Sequence, residues 1–304
     1  MWFTRVKTTA SGHLGVEFSP SGIALANVLQ RPNEQPLLLN CQFRESSPER
    51  HAAVLKNLIA ELGLAGLPVN LVLHPAEYQM LLLESPDVPA AELGDAMRWR
   101  IKDLIKEPLE DVAVDAFALP TDAYRGRSHM AYCAVLNKAR LQEWCNLIKQ
   151  ANLNLVSVDV TEMAFRNIGL LAGADELNIA VLRLRASGGL LCVQHGAELY
   201  MARVIEHGLD LAGANISAAM LEIQRTLDYF ESQLGKGQIN RLMLLPMKRD
   251  GAEALQALDE RLTVNVKALD LRQLFPGQAA ADIDEEMQAS CFTAVGAALR
   301  QVGP

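Results

Sequence analysis

Short apolar segments bounded by turn residues make up the opening of the chain. Two of them surround Pro20-Ser21-Gly22, a turn sequence typical of a β-hairpin. Further along, apolar residues recur every three or four positions from Pro48 to Leu62, which predicts a helix that ends at Gly63. The opening module is therefore predicted as β-β-β-α-β. Its strands are expected at Leu14–Ser19, Ile23–Gln30, Leu37–Arg44 and Val69–His74.

Six further segments follow, which we interpret as a small inserted β-α-β-β-α-β subdomain. The clearest of them is a helix whose apolar residues, from Leu93 to Leu104, share one face, and Pro108 ends it. The insertion is expected at about residues 78–160. Its segments are Tyr78–Glu84, Ala90–Lys106, Val112–Leu119, His129–Leu136, Lys138–Ala151 and Leu155–Val160.

The second half of the chain repeats the layout of the opening. After the stretch Thr161–Glu176, three strands precede a long helix at Ile216–Leu234, and Gly235 supplies its end. This similarity in the order of elements predicts a weak internal duplication. We expect a mixed α/β protein with two similar lobes, residues 1–175 and 176–304, and the insertion in the first. The other predicted elements are Ile179–Arg185, Leu190–His195, Leu199–Ile205, Arg241–Leu245, Gly251–Leu262, Thr263–Ala268 and Met287–Arg300.

The composition fits a globular protein and disfavours several classes of partner. The chain has 304 residues, 50% of them hydrophobic, which is enough for a full-sized core in two lobes. A net charge of −8 gives no electrostatic footprint for nucleic acid or anionic lipid. Pro68 and Pro75 interrupt the longest uncharged stretch, so we expect no membrane-spanning segment. The N-terminal residues Met1–Lys7 lack the long apolar segment that a secretory signal needs, so we expect no such signal.

Patterns of catalytic and metal-binding residues are missing from the sequence. The five cysteines form no C-x-x-C pair, as expected of reduced and mostly buried thiols, and the six histidines show no metal-ligand spacing. Neither a G-x-S-x-G nucleophile turn nor a Walker A loop occurs. Glu107, Glu110 and Asp111 cluster, but we interpret them as solvated surface. We therefore predict no catalytic residue and no metal site.

Five parts of the chain match, in order and spacing, the motifs of one known family. They are Leu14–Ile23, Met97–Ile105 with Val112–Asp115, Ser157–Ala164, Leu221–Gln233 and Phe292–Arg300. Together they resemble the PilM-like proteins of bacterial type IV pilus assembly, which belong to the actin-like ATPase superfamily. The resemblance covers nearly the whole chain and implies an actin-like (ribonuclease H-like) fold. Within the family, the lack of a membrane segment and the loss of nucleotide motifs most resemble MshI, the version associated with mannose-sensitive haemagglutinin (MSHA) pili.

The resemblance implies a nucleotide site whose first element is the opening hairpin. The family's aspartate position is Glu17, and Ser19 and Ser21 could donate hydrogen bonds to a phosphate. Pro20 has no N–H to offer, and the bulk of Phe18 replaces a family glycine. An ordinary strand and turn is as good an interpretation as a working phosphate loop. We therefore expect this element to be impaired as a phosphate-binding loop.

The second element of the implied site falls on the hairpin that begins the second lobe. Here the family's second aspartate is replaced by Arg183 and the following glycine by Arg185. A cation cannot coordinate Mg²⁺, because like unit charges a few ångströms apart repel by roughly 4 kcal/mol per unit charge at an effective dielectric of 20. The favoured interpretation of both arginines is a structural ion pair with Glu or Asp, and the alternative is direct binding of a phosphate or a carboxylate. Ser187 and Gly188 retain flexible turn chemistry.

The third implied element, a glycine-rich adenosine loop, corresponds to Pro246–Gly251. Proline and bulky side chains there cannot let adenine approach the backbone as glycines do. We therefore predict no cofactor and no ATP hydrolysis, and the alternative left open is binding of ATP with Mg²⁺. The predicted vestigial nucleotide site comprises Glu17, Ser19, Ser21, Arg183, Ser187 and Gly188.

The function that the resemblance implies is that of a cytoplasmic scaffold, peripheral to the inner membrane. Members of the family bind the cytoplasmic tail of a PilN-like inner-membrane protein, which couples it to other cytoplasmic pilus machinery. The groove for this tail would be lined by Tyr78–Glu84, Ala90–Lys106 and Val112–Leu119. Two alternatives stay open. One is a genuine ATP-binding switch of the pilus machinery. The other is a GspL-like cytoplasmic domain of type II secretion, which normally continues into a membrane helix, and no such helix is visible in this sequence.

Overall fold

The computed structural model describes residues 11–124, 129–174, 177–208, 216–234 and 236–300. The strands are β1 (His13–Ser19), β2 (Gly22–Leu29), β3 (Leu37–Glu45), β4 (Pro68–Leu73), β5 (Gln79–Glu84), β6 (Val112–Ala118), β7 (Met130–Asn137), β8 (Asn154–Val160), β9 (Asn178–Arg185), β10 (Gly188–His195), β11 (Glu198–Ile205), β12 (Arg241–Leu244) and β13 (Val266–Ala268). The helices are α1 (His51–Leu62), α2 (Leu93–Arg100), α3 (Lys138–Gln150), α4 (Thr161–Leu171), α5 (Ile216–Tyr229), α6 (Gly251–Arg261), α7 (Leu271–Leu274), α8 (Gln278–Ala281) and α9 (Glu285–Ala298). A short π-helical segment, Phe230–Leu234, continues α5. In the part of the chain that is described, no helix has the length and apolar character needed to cross a bilayer.

Each lobe is built on a five-stranded sheet, and the two sheets have the same strand order. In the first lobe β1, β2 and β3 form an antiparallel meander, while β4 and β8 lie parallel beside β1, which gives the order β3-β2-β1-β4-β8. The second sheet repeats this arrangement as β11-β10-β9-β12-β13. The predicted internal duplication is therefore confirmed at the level of topology.

Two helices join the lobes by packing across them. Although α4 follows the last strand of the first sheet, it contacts β9, β10 and β11, whereas α9 packs on β1 to β4. The helices also cross each other at close range, which requires glycine. A Cβ atom on Gly296 of α9 would lie 2.3 Å from the carbonyl oxygen of Ala164 on α4. Where α9 packs on β1, a Cβ atom on Gly15 would lie 1.9 Å from the carbonyl oxygen of Ala294.

Buried amides fix the end of α9 against the first lobe. Asn70 on β4 donates to the carbonyl of Ala297, and Asn167 on α4 donates to that of Gly296, each over 2.9 Å. The bond to Gly296 supplies a partner to a carbonyl of the last turn, where a helix leaves such groups without intrahelical donors, while Ala297 also accepts from the Arg300 N–H over 3.1 Å. Residues 176–304 therefore do not form a self-contained lobe, because their last helix completes the core of the first one.

The insertion has its own three-stranded antiparallel sheet, with the order β5-β7-β6. One face of this sheet is covered by α2, where Leu93 and Met97 pack near Cys133. The predicted order of elements is confirmed, but the last two belong to the lobe. Strand β8 pairs with β4, and α3 packs its apolar residues Trp144 and Ile148 into the core of the first lobe. The separate unit is thus β-α-β-β.

Helix α2 is shorter than the sequence predicts. It ends at Arg100 rather than Lys106, because the chain must turn back to enter β6. The side chain of Arg98 binds the carbonyls of Leu109 and Val112 on the returning segment and holds it against the helix. The apolar spacing beyond Arg100 therefore belongs to a turn that packs on the same core.

A helix that was not predicted, α4, replaces most of the unassigned stretch after β8. Its buried face includes the polar residues Thr161, Glu162 and Asn167, which obscure the apolar stripe. Strand β13 is shorter than predicted. The predicted helix end at Gly235 and part of the loop between β6 and β7 lie outside the described residues.

Candidate functional site

The two lobes enclose a cleft of about 650 Å³. Three segments that the sequence singled out line it: the first hairpin, the end of β9 and the loop after β12. They meet because β1 and β9 are the central strands of their sheets and β12 lies beside β9. The lining residues include Glu17, Ser19, Pro20, Ser21, Arg183, Arg185 and Pro246 to Asp250.

Two opposite charges face each other inside the cleft through one hydroxyl group. Arg183 donates from Nη1 to Thr293 Oγ1 over 3.2 Å, and Thr293 also hydrogen-bonds the carboxyl group of Glu17. Burial raises the pKa of Glu17, although the positive charges of Arg183 and Arg185 oppose this shift. Burial lowers the pKa of Arg183 to about 10, so the guanidinium stays charged at neutral pH.

Among the described residues, neither arginine forms the predicted ion pair. No carboxylate of the described residues lies in ion-pair contact with Arg183 or Arg185. Instead, the Thr293 hydroxyl lies between Arg183 and the Glu17 carboxyl group. The Oε1 atom of Glu17 is buried without a hydrogen-bond partner among the described residues. Both charges therefore keep unused hydrogen-bonding capacity beside the cleft.

Basic groups outnumber acidic groups along the cleft. Arg185 Nη1 lies 3.4 Å from His74 Nε2. Burial, together with the positive charges of Arg185 and Arg183, lowers the pKa of His74 to about 4, so this imidazole is neutral near pH 7. Lys248 Nζ lies 4.9 Å from the centre of the Phe43 ring. The formally charged side chains on the cleft are Arg183, Arg185, Lys248 and Arg249 against Glu17 and Asp250.

The predicted phosphate-loop hydroxyls are divided between two places. Ser19 and Ser21 line the cleft, with their Oγ atoms 3.1 Å apart, and Ser19 also donates to the carbonyl of Gly22. Ser187 and Gly188 lie instead in a neighbouring depression. Four of the six predicted nucleotide-site residues thus share the cleft.

Sequence reasoning missed two polar residues that line the cleft, His74 and Ser290, and a third, Thr293, that hydrogen-bonds Arg183 beside it. His74 follows the end of β4, while Ser290 and Thr293 lie on α9. Ser290 Oγ is buried without a hydrogen-bond partner among the described residues. No local motif marks these positions, because α9 reaches the cleft only by packing across to the first lobe.

A second opening, of about 540 Å³, lies between the insertion and the two lobes, and we call it the groove. Strand β6 forms one wall, and β8, α4 and the start of β11 form the others. Most lining residues are apolar, but one end is charged. There Arg300 Nη1 lies 2.7 Å from the buried carboxylate of Asp159. Of the three segments predicted to line a partner groove, only 112–119 borders this one; Tyr78, Gln79 and residues 104–107 line a separate depression.

The edge of β6 that faces the groove has open backbone positions. Leu119 donates its N–H to the carbonyl of Met130 across the sheet, over 2.8 Å. Alternation along an antiparallel strand then directs the N–H groups of Ala116 and Ala118 to the other, unpaired edge. The Asp115 carboxylate accepts from the Ala116 N–H over 2.8 Å. An extended peptide could therefore pair with this edge once that side chain moves aside.

Tyrosine residues hold the insertion against the second lobe. The Tyr132 hydroxyl donates to the carbonyl of Ala202 and accepts from its N–H, over 3.1 and 2.8 Å. Ala202 lies on β11, the edge strand of the second sheet, so this contact covers a free sheet edge. Tyr200 donates to Asp122 over 3.0 Å, and Asp122 also pairs with Lys236. These contacts fix the position of β6 relative to both lobes.

Comparison with known proteins identifies the fold. No family model and no curated protein matches the chain. A solved PilM–PilN type IV pilus biogenesis complex is 21% identical, covers 97% of this chain and 100% of its own, and has a TM-score of 0.73. The cytoplasmic domain of EpsL, an inner membrane component of the type II secretion system of Vibrio cholerae, is 12% identical over 77% of this chain and 82% of its own, with a TM-score of 0.50. A Bacteroides thetaiotaomicron protein with an actin-like ATPase fold is 13% identical over 91% and 94%, with a TM-score of 0.53. The chain has the actin-like ATPase fold, as predicted.

The cleft residues do not fit a nucleotide held through Mg²⁺. Magnesium prefers carboxylate and water oxygens, but Arg183 faces Glu17 where a second carboxylate would be needed. Among the described residues, no group of three or more His, Cys, Asp or Glu side chains is placed to hold a metal ion. The side chains of Pro246 and Met247 stand where an adenosine loop would need glycine. The donor set favours a ligand that accepts hydrogen bonds from cations.

Proposed function

We propose that the chain is a non-catalytic scaffold of a type IV pilus or related secretion assembly, and that it binds an extended segment of a PilN-like inner-membrane protein. The observation that carries this proposal is the open edge of β6 beside the groove. The likeness in fold to the PilM–PilN complex, over nearly the whole chain, supports it. The scaffold would act at the cytoplasmic face of the inner membrane, which it would reach through its partner.

The groove suits a peptide that binds by strand addition. Backbone hydrogen bonds to Ala116 and Ala118 would supply affinity without regard to sequence. Alternate side chains of an added strand point to opposite faces, so every second one would enter the groove. There they would meet Leu73, Val158 and Met163, whereas a charged residue would find the Asp159–Arg300 pair at the groove's end. We therefore expect a partner segment with alternating apolar residues.

A scaffold fits the cleft better than an enzyme does. Productive phosphoryl transfer on this fold needs acidic groups that position a metal ion, and the positive charge of Arg183 repels a metal ion. The lobes are also joined through the packed pair of helices α4 and α9, independently of any ligand. The finer assignment to MSHA pili, and the MshI-like identity, depend on the sequence resemblance alone and stay predictions.

Titration with a labelled N-terminal peptide of a PilN-like protein, followed by fluorescence anisotropy, tests the proposal. Ala116→Pro removes one edge N–H, and proline is tolerated where that N–H points away from the sheet. We expect it to weaken binding up to about tenfold, the effect of one hydrogen bond, whereas Ala116→Ser, which keeps the N–H, should bind as the parent does. Equal binding by both variants would refute docking on β6.

The competing candidate is an ATP-controlled switch, and Glu17, Ser19 and Ser21 on the cleft are the residues that favour it. A melting-temperature titration with Mg-ATP separates the two, because a ligand stabilises the state that binds it. The scaffold proposal expects no saturable shift that depends on Mg²⁺. A saturable, magnesium-dependent rise in melting temperature would instead favour the ATP-controlled switch over the scaffold.

A further inference from the structure

The Arg183 guanidinium has more donor capacity than the protein uses. Of its five N–H groups, one hydrogen-bonds Thr293 Oγ1, and no carboxylate of the described residues pairs with it. The side chain is partly buried and lines both the cleft and the neighbouring depression, so it borders open space that a ligand can enter. Arginine in this setting suits a planar or tetrahedral oxyanion, which it can bind through two parallel hydrogen bonds.

Other groups on the cleft complement an anion. Arg185 lines the same wall two residues along β9, and Lys248 faces them from the loop after β12. Two polar atoms buried beside the cleft, Glu17 Oε1 and Ser290 Oγ, have no partner among the described residues. Burial raises the pKa of the Glu17 carboxyl, so this acidic group holds its negative charge less readily and repels an oxyanion less than an exposed carboxylate would.

We propose that the interlobe cleft binds a phosphate-bearing anion directly on Arg183 and Arg185, without a divalent metal ion. The positive charge that Mg²⁺ supplies to phosphates in an active site of this fold is here part of the chain itself. A metal ion would be repelled by the two guanidinium groups, whereas a free phosphate or diphosphate group is attracted by both. The proposal is independent of the partner groove, because the groove shares no lining residue with the cleft.

Thermal unfolding of the full chain with inorganic pyrophosphate, in buffer with EDTA and constant ionic strength, tests this proposal. We expect a saturable rise in melting temperature, since specific binding saturates while general salt effects grow steadily with concentration. Addition of excess Mg²⁺ should weaken the effect, because it withdraws free pyrophosphate. Sodium chloride at equal ionic strength gives the baseline.

Arg185→Gln is the decisive variant, because Arg185 is exposed on β9 and its replacement leaves the core intact. We expect about a tenfold weaker apparent affinity for pyrophosphate, the effect of losing one charged hydrogen-bonding group. Arg183→Met should abolish the shift if the variant folds. Lys56→Met removes an exposed positive charge on α1 that does not line the cleft, and should bind as the parent does.

Three results would overturn the proposal. The first is the absence of a saturable shift with pyrophosphate in EDTA. The second is a shift that requires Mg²⁺. The third is equal affinity in Arg185→Gln and Lys56→Met, which would show that the anion binds elsewhere through general charge.

Discussion

Replacing Arg183 with methionine removes a positive charge from the cleft while filling most of the same volume. Glu17, which is 3% exposed, would keep a buried carboxyl group whose Oε1 has no partner among the described residues. Arg185 would remain as a cation that acts on it, but it is exposed to solvent and therefore screened. The variant thus changes the balance of charge around Glu17 with little change in packing.

The expected loss follows from the kind of interaction that is removed. A hydrogen bond to a charged group contributes about 1.5–3 kcal/mol, and removal of one member of a buried charge pair costs about 3–5 kcal/mol. Arg183 is only partly buried and meets Glu17 through Thr293, so the lower range applies. We expect a loss of about 2–3 kcal/mol in the free energy of unfolding at pH 7.5. In domains of ordinary size, this corresponds to a fall of about 4–12 °C in the melting temperature.

The loss should depend on pH in a defined direction. Burial raises the pKa of Glu17 above its ordinary value of 4.5, and removal of Arg183 raises it further. Between the pKa of the unfolded state and that of the folded state, the folded chain binds more protons, so stability falls as the pH rises. Below that interval Glu17 is protonated in both the folded and the unfolded state, and the cost of burying its negative charge disappears. The destabilisation should therefore be smaller at about pH 5 than at about pH 7.5.

Urea unfolding followed by circular dichroism at these two pH values measures the effect. Arg203→Met on β11 is the matched control, because Arg203 is exposed and its loss should change stability by no more than about 0.5 kcal/mol. Adding Glu17→Gln to Arg183→Met removes the isolated carboxyl group and should recover at least about 1 kcal/mol at pH 7.5. An equal loss at both pH values, with no recovery in the double variant, would refute the view that Arg183 balances Glu17.

Other contacts give equally direct predictions. Gly296→Val should lower the free energy of unfolding in urea by more than about 2 kcal/mol, because the valine side chain collides with the backbone of α4. Gly251→Ala is the control and should be nearly neutral or stabilising, because its Cβ meets nothing closer than 3.8 Å. Tyr132→Phe should cost about 1–3 kcal/mol and speed amide exchange on the covered edge of β11, and unchanged exchange would argue against that contact. A thiol reagent should modify at most Cys145 quickly in the native protein and all five cysteines in denaturant, since the other four thiols are buried; fast native labelling of two or more would contradict this.

Much of the fold could be predicted because local sequence and tertiary structure agree. The turn Pro20-Ser21-Gly22 connects β1 and β2, and Gly63 ends α1 in the left-handed conformation that its sequence position suggests. The positions of Glu17 and Arg183 in the cleft follow from the repeated topology, since each lies on the first strand of its sheet. The repeated strand order therefore predicts which positions line the cleft, even where the residue type at a position differs from that of the family.

The remaining features depend on contacts between distant parts of the chain. Helix α4 buries Thr161 against β4 and Asn167 against α9, so its sequence does not show an ordinary apolar face. Ser290 lines the cleft and Thr293 contacts Arg183 because α9 crosses to the first sheet, which no local pattern encodes. The predicted ion pair of Arg183 failed for a similar reason, because a hydroxyl from that distant helix lies between the two charges.

The groove and the cleft meet at the end of β4, and this junction bears on whether the protein is a switch. Leu73 lines the groove, and the next residue, His74, lines the cleft beside Arg185. Coupling between two sites needs an element with two arrangements of similar energy, which both ligands bias. Here the junction is held in one arrangement by Tyr78, which donates a half-buried hydrogen bond of 2.5 Å to Glu162 on the helix that joins the lobes. An anion in the cleft would then stabilise the protein without changing the affinity of the groove, which is the behaviour expected of a scaffold rather than of a switch.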